Sequence, residues 1–163
     1  MRKFIGDFER ISDHAVNIVQ SAEELGSKDL ALSPQASKEL SILAGAVSEI
    51  LDLSLDAFLH DDLGPAGRVE PLEQVIDGLK EQLRTAHILR LQQEKCSIEA
   101  GFVWSDLLTN LERVSDHCSN IAGCVLDMHE GNLNLHESLR AMKEDRENFE
   151  DRYLVYRKKY SVE

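Results

Sequence analysis

Apolar residues recur with helical spacing along most of the chain. In the first such stretch the apolar positions advance by alternating steps of four and three, the heptad pattern of a helix that packs along one stripe: Phe4, Phe8, Ile11, Ala15, Ile18, Ala22 and Leu25. Gly26 is a natural stop for this helix. Similar spacing returns in stretches that begin near Ser33, Arg68, Ser97 and Asn134. Strand alternation is absent from the sequence, so an all-α fold is predicted.

Caps and breakers mark the ends of the middle helices. Ser33 followed by Pro34 is a strong start signal for the second helix. The acidic, Gly- and Pro-containing stretch 61–65 is expected to end that helix near His60. The third helix is expected to begin within 68–71, because proline is tolerated in the first turn of a helix.

The last two helices have similar markers. The fourth is capped by Ser97 and is expected to stop at Gly131. The fifth opens with Asn134 and Glu137, a capping-box pattern, and is expected to run to about Lys159. Since the connections are short, neighbouring helices are expected to be antiparallel. The prediction is an up-down bundle of about five helices.

One polar phrase occurs twice in the chain. FERISDHAVNI at 8–18 returns as LERVSDHCSNI at 111–121, with seven of eleven residues identical. Packing explains the shared apolar positions but not the polar ones. Each copy sets two carboxylates one helical turn apart, on the face away from the heptad core: Glu9 with Asp13, and Glu112 with Asp116. Like charges at this spacing cost a few tenths of a kcal/mol, so an arginine or a cation must offset them.

A third carboxylate pair has the same spacing. Glu73 and Asp77 lie on a flank of the third helix and converge with the pair of the fourth helix if these two helices are neighbours. Hard carboxylate oxygens suit iron, manganese, magnesium or calcium. Arginine is the alternative partner, since Arg10 and Arg113 each stand three residues before an aspartate of the phrase.

Four more polar residues of the phrase are candidates for supporting roles around such a site. His14 and His117 follow the aspartates and flank the core. Asn17 and Asn120 come four residues after the aspartates, within reach of the same side chains or of a bound water.

Composition narrows the function classes. The net charge of −12 argues against binding to DNA, RNA or anionic lipid, because the phosphates are repelled. No apolar run is long enough to insert into a membrane. An odd count of three cysteines without a CxxC motif indicates reduced thiols in a cytoplasmic protein. Neither a nucleophile–base–acid set nor a Gly-rich phosphate loop is present, so a non-enzymatic role is favoured.

The repeated phrase, in the forms ERISDHAVNI and LERVSDHCSNIA, resembles the signature helix of the PhoU family of phosphate-uptake regulators. More narrowly, the stretch 83–124 is similar to the PhoU-like domain at the cytoplasmic C-terminus of bacterial sodium/phosphate cotransporters. The family implies a three-helix unit that is usually present twice. Each unit has one carboxylate pair on its second helix and one on its third, where some members bind iron or other metals.

The resemblance implies a domain organisation and a site. Residues 1–130 form a PhoU-like bundle, in which 1–26 is the last helix of an incomplete first repeat and 33–130 is a complete one. Residues 131–163 form a charged helix that packs on the bundle or extends from it. The complete repeat supplies one metal site, and the incomplete one supplies half of another: Glu73, Asp77, Glu112 and Asp116 in the first, Glu9 and Asp13 in the second.

The leading hypothesis is a regulatory or accessory domain for phosphate transport, with iron or another metal at the carboxylate pairs. Its partner is a phosphate-transport membrane protein, in cis or in trans, at the cytoplasmic face of the inner membrane, and the chain is expected to form a homo-oligomer. Two alternatives stay open. One is an acidic structural module that dimerises through the first and fifth helices without metal, and the other is a metal-dependent phosphohydrolase.

Overall fold

The chain folds as a helical bundle. The computed structural model describes residues 2–130 and 148–162. It contains four long helices and a further helical stretch over 148–159: α1 (Arg2–Ser27), α2 (Pro34–His60), α3 (Leu63–Gln92) and α4 (Ile98–Glu130). We call residues 148–162 the C-terminal segment. The all-α prediction is confirmed, and the capping box and the helix stop predicted within 131–137 lie outside the described residues.

Helices α2, α3 and α4 form a three-helix bundle in which each contacts the other two. Helix α3 runs antiparallel to α2, as shown by the largely buried Arg90 near its end, which pairs with Glu39 near the start of α2 at 2.9 Å between Nη2 and Oε2. Helix α1 packs along α4 on the outside of this bundle. Within the described residues, no helix has both the length and the apolar character needed to cross a membrane.

The core follows the stripes that the apolar spacing predicts. Its largest fully buried side chains come from all three bundle helices: Leu43, Ile50, Leu72, Ile76, Leu83, Trp104 and Ile121. Each such side chain stabilises the fold by about 1.5–3 kcal/mol relative to exposure in water. Cys118 and Cys124 are buried free thiols, and burial raises the pKa of Cys118 to about 12. Both therefore act as small apolar residues.

The predicted starts of α2 and α4 are confirmed. Ser33 Oγ accepts a hydrogen bond from the backbone N–H of Ala36 at 3.2 Å. Ser97 Oγ accepts one from the N–H of Ala100 at 3.1 Å. These caps satisfy backbone donors that a helix leaves without a partner in its first turn.

The predicted start of α3 is wrong. Helix α3 begins at Leu63, directly after the N-cap Asp62, so Pro71 lies inside the helix and not in its first turn. A proline has no N–H for the carbonyl four residues earlier, which here belongs to Gly67. Arg152 of the C-terminal segment donates to that carbonyl oxygen from Nη1 at 2.6 Å. The helix continues through Pro71 because a side chain from another helix supplies the missing donor.

The C-terminal segment is docked against α2 and α3. Tyr156 is buried in the core, while Tyr160 and Lys159 both donate hydrogen bonds to Glu49 of α2. The prediction that the last helix ends near Lys159 is confirmed. The division of the chain into a partial repeat over 1–26 and a complete repeat over 33–130 stays a prediction.

Candidate functional site on helix α4

The two copies of the repeated phrase lie against each other. Helices α1 and α4 pack antiparallel, and each contributes its own copy to the shared interface. On α1 the buried carboxylate of Asp7 accepts two hydrogen bonds from α4. His117 Nδ1 donates at 2.9 Å and Asn120 Nδ2 donates at 3.2 Å, both to Asp7 Oδ1.

The equivalent set lies on the other side of the same interface. On α4, Asn110 Oδ1 accepts from His14 Nδ1 at 2.9 Å and from Asn17 Nδ2 at 3.1 Å. The His14 and His117 rings stack between the two sets, with centroids 5.7 Å apart. We call these six residues the polar clamp.

The polar clamp has local two-fold symmetry. Position 110 follows position 7 by the same 103 residues that separate the two copies of the phrase. Each acceptor therefore receives its two bonds from the equivalent histidine and asparagine of the opposite helix. The shared histidine and asparagine of the phrase are explained in this way, because they join the two helices that carry its copies. The clamp histidines and asparagines bond across this interface and not to the carboxylate pairs.

The carboxylates of α3 and α4 gather on one face of the bundle, as the spacing predicts for neighbouring helices. We call Glu70, Glu73, Asp77, Glu112 and Asp116 the acidic face. Burial, together with the charges of the other four acidic residues, raises the pKa of Glu73 to about 7. Within the described residues Glu73 has no hydrogen-bond or ion-pair partner. Its carboxylate therefore ionises at a higher pH than usual, and no neighbouring cation compensates the charge once it forms.

Two basic side chains already form ion pairs with part of the acidic face. Lys80 Nζ lies 2.9 Å from Glu112 Oε1, in a pair that is mostly shielded from water. Arg113 Nη1 lies 3.2 Å from Asp116 Oδ2, and its Nε lies 3.7 Å from Glu112 Oε2. Burial and the charge of Glu112 nevertheless raise the pKa of Asp116. The arginine alternative thus applies to Arg113, while Lys80 is a partner that the sequence did not reveal.

The donor set of the acidic face suits a hard cation, but its side chains are not arranged around one. In the part of the chain that the structure describes, no three ligating side chains lie close enough together to hold a metal ion. Within the described residues Glu73 and Asp77 have no ion-pair partner, whereas Glu112 is engaged by Lys80 and Asp116 by Arg113. A cation therefore fits only if these flexible side chains rotate toward one another and Glu112 exchanges Lys80 for the cation.

The first copy of the phrase lacks such surroundings. Glu9 and Asp13 are exposed on α1, as is Arg10, and none of the three has an ion-pair partner among the described residues. The two carboxylate pairs of the repeat therefore differ, because only the α4 pair faces a neighbouring helix with acids of its own.

Four residues of these sites were missed at the sequence level: Asp7, Asn110, Glu70 and Lys80. Asp7 and Asn110 stand directly before the two copies of the phrase, so an alignment longer by one residue would have paired them. Glu70 accepts a hydrogen bond from Ser119 at 2.7 Å. No local signal points to Glu70 or Lys80, since both act through contacts with a different helix.

The fold and the site define an all-α helical bundle in which two copies of one polar phrase face each other. The chain belongs to the PhoU family, because the family model for the PhoU domain matches residues 40–125, more than half of its length. This match includes the α3 and α4 carboxylates and the second copy of the phrase.

Curated relatives agree with this assignment. A phosphate-specific transport system accessory protein PhoU homolog 1 of Thermotoga maritima is 28% identical over 141 residues, covering 86% of this chain and 60% of that protein. A PhoU homolog of the same description from Pseudomonas aeruginosa is 30% identical and covers 90% of this chain and 60% of that protein. The chain thus spans about 60% of the length of these relatives. No solved structure matches it.

Proposed function

We propose that the chain is a non-enzymatic, PhoU-like regulatory or accessory domain in phosphate transport that binds a metal ion on the acidic face. The names of its relatives support the phosphate-transport role. The observation that supports metal binding is the position of Glu73 among four other acids with no cationic partner within the described residues. Iron or another di- or trivalent cation would supply positive charge there, and its ligands would be Glu73, Asp77, Glu112 and Asp116.

The proposed partner is a phosphate-transport membrane protein, in cis or in trans, so that the chain would work at the cytoplasmic face of the membrane. Sodium/phosphate cotransporters are the proposed partner class, because of the similarity in 83–124. A protein of net charge −12 would not bind the anionic membrane surface by itself. Association with the transporter protein is therefore the proposed means of membrane attachment.

The metal proposal is tested by measuring bound metal. Protein purified without chelator is analysed for iron, manganese and zinc by mass spectrometry, and Mn²⁺ binding is followed by thermal shift. The wild type is expected to bind metal, and Glu73→Gln/Asp77→Asn is expected to lose it. A metal at one hundred times its Kd stabilises the folded state by about 2.7 kcal/mol, which a thermal shift resolves.

The matched control is Asp52→Asn/Asp56→Asn, which removes an exposed pair of the same spacing on α2. It is expected to leave metal binding unchanged. Equal metal content in the wild type and both variants contradicts the assignment to the acidic face. Phosphatase activity of the metal-loaded protein would instead support the phosphohydrolase alternative.

A second candidate function is an acidic module that forms a homo-oligomer through α1. The observation that favours it is a row of apolar side chains on α1 that the described residues leave exposed: Ile5, Val16 and Val19. Burying this row against a second copy would remove apolar surface from water. The two functions are compatible, because the row and the acidic face lie on different helices.

A further inference from the structure

A cavity of about 520 Å³ lies between the C-terminal half of α3 and the N-terminal half of α4. Its volume falls within the range of small-molecule sites in proteins, about 300–1,000 Å³. Neither the polar clamp nor the metal proposal uses this cavity. Lys80, which lines the cavity, also pairs with Glu112 of the acidic face.

The walls of the cavity are apolar, and several of them are open to solvent. Leu91 and Leu108 line its interior, and Ile98 and Phe102 remain 72% and 69% exposed at its edge. Large apolar side chains left this exposed beside a cavity are a common mark of a binding site. The interior therefore favours the apolar body of a ligand.

The charged side chains that line the cavity within the described residues are both basic. Lys80 and Arg84 line it, and none of the described aspartates or glutamates does, although Lys80 pairs with Glu112 behind the lining. In a chain with 30 acidic and 18 basic residues, this is the reverse of the average surface. The Arg84 side chain is largely exposed, and its closest carboxylate, Glu81, is 3.9 Å away. Arg84 is therefore available to an anion at the cavity edge.

Two aromatic rings of the wall carry nitrogen atoms without partners. Within the described residues, His87 Nε2 and Trp104 Nε1 are buried and make no hydrogen bond. A buried polar atom without a partner costs about 1–3 kcal/mol, and a ligand that reaches it recovers part of this cost. Both rings lie beside the apolar wall, so the cavity combines apolar surface with a few polar atoms, as ligand sites do.

We propose that this cavity binds a small amphipathic anion, with its apolar body between α3 and α4 and its carboxylate or phosphate head at Arg84 and Lys80. The apolar wall favours a ligand with an apolar body, and the two basic side chains favour an anionic head group. The cavity is distinct from the acidic face, and the two adjoin at Lys80, which pairs with Glu112.

Gly101 of α4 provides a way to close the cavity. A Cβ atom added at Gly101 would lie 2.8 Å from His87 Nε2, which is too close, so the imidazole ring must shift. Gly101→Ala therefore displaces His87 within the cavity. Gly123 of the same helix has no heavy atom within 4 Å of such a Cβ atom, so Gly123→Ala is the matched control.

The test uses Trp104, which is the single tryptophan of the chain and lines the cavity. Its fluorescence is titrated with decanoate, decanol and decyltrimethylammonium, which share a chain and differ in charge. Decanoate is expected to bind about fivefold or more tightly than decanol, because the head group gains a charge-assisted bond. The cation is expected to bind most weakly.

Two variants test the position of the ligand. Gly101→Ala is expected to weaken decanoate binding about tenfold, as added atoms do in a filled site, whereas Gly123→Ala leaves it unchanged. Arg84→Gln is expected to bring decanoate down to the affinity of decanol, whereas Lys158→Gln, an exposed charge on the C-terminal segment, has no effect. Arg84→Gln decides the matter if Gly101→Ala does not fold. No binding of decanoate, or equal binding of decanoate and decanol to the wild type, overturns the proposal.

Discussion

At the residue scale, Asp7 and Asn110 are equivalent hydrogen-bond acceptors, one through a carboxylate and the other through an amide. Each accepts one hydrogen bond from a histidine and one from an asparagine of the opposite helix. A side-chain amide can do this because its oxygen is an acceptor like that of a carboxylate. The clamp therefore depends on an oxygen at this position and less on its charge.

Asp7 is the position where this idea can be tested. Asp7→Asn is expected to cost less than about 1 kcal/mol of unfolding free energy, because the amide oxygen replaces the acceptor, as in Asn110. Asp7→Ala is expected to cost about 2–3 kcal/mol, because His117 and Asn120 lose their acceptor. Urea denaturation of the variants measures both values. Equal costs would show that the two hydrogen bonds contribute little.

Glu73 makes a pH-dependent contribution to stability. Its pKa rises from 4.5 to about 7 on folding, so between these values the folded state holds more protons than the unfolded state. The unfolding free energy of the metal-free protein is therefore expected to fall as pH rises from about 4.5 to 7. After a discount for solvent screening of this partly buried side chain, the loss is about 1–2 kcal/mol.

The measurement is urea denaturation at pH 5 and pH 8 with a chelator present. Glu73→Gln replaces the titrating carboxyl by a neutral amide. The variant is therefore expected to lose less unfolding free energy between pH 5 and pH 8 and to be more stable than the wild type at pH 8. Asp52→Asn, an exposed carboxyl on α2, is the control for a change of net charge. A pH dependence identical in Glu73→Gln and the wild type would contradict the burial of an uncompensated charge.

At the scale of the elements, α3 and the C-terminal segment depend on each other. Pro71 leaves the carbonyl of Gly67 without its helical donor, and Arg152 supplies one from the segment. Sequence rules place proline at helix starts because the rules consider one helix alone. The end of α2, by contrast, was predicted correctly, since Asp61 adopts a left-handed conformation that closes the helix locally.

Arg152→Met tests this dependence. The variant keeps much of the side-chain packing and removes the donor to Gly67, so the docking of the segment is expected to weaken by about 1–2 kcal/mol. Hydrogen exchange in 148–159 is expected to speed up about tenfold, in keeping with 1.4 kcal/mol per factor of ten. Arg157→Met, an exposed arginine of the same segment, is the control. Unchanged exchange in Arg152→Met would show that Tyr156 and Tyr160 dock the segment unaided.

At the scale of the whole molecule, the two copies of the repeat have unequal neighbours. The 103-residue offset pairs Leu108 with Ile5 and Ala122 with Val19. On α4, Leu108 and Ala122 are covered by the bundle and only 3% and 2% exposed. On α1, Ile5 and Val19 are 64% and 57% exposed. The face of α1 that corresponds to the covered face of α4 is thus open in the described residues.

The open face of α1 is expected to make the chain associate with itself. Val16→Ser/Val19→Ser removes apolar surface there and is expected to weaken dimerisation at least tenfold, as loss of about 1.4 kcal/mol or more of apolar burial would. Sedimentation velocity over a concentration series measures this. Leu89→Ser, an exposed apolar residue of α3, is the control. A wild type that remains monomeric at high concentration would contradict the expectation.

The sequence by itself determined the helices, the caps at Ser33 and Ser97, the apolar core and the family. These follow from local spacing and local hydrogen bonding, which each stretch of chain carries on its own. Only the tertiary structure decided that Asp7 meets His117, that Lys80 reaches Glu112, and that Arg152 completes the helix around Pro71. The physical reason is that these contacts join side chains far apart in sequence. Their energies depend on which helices become neighbours, at what register, and on how much water is excluded between them.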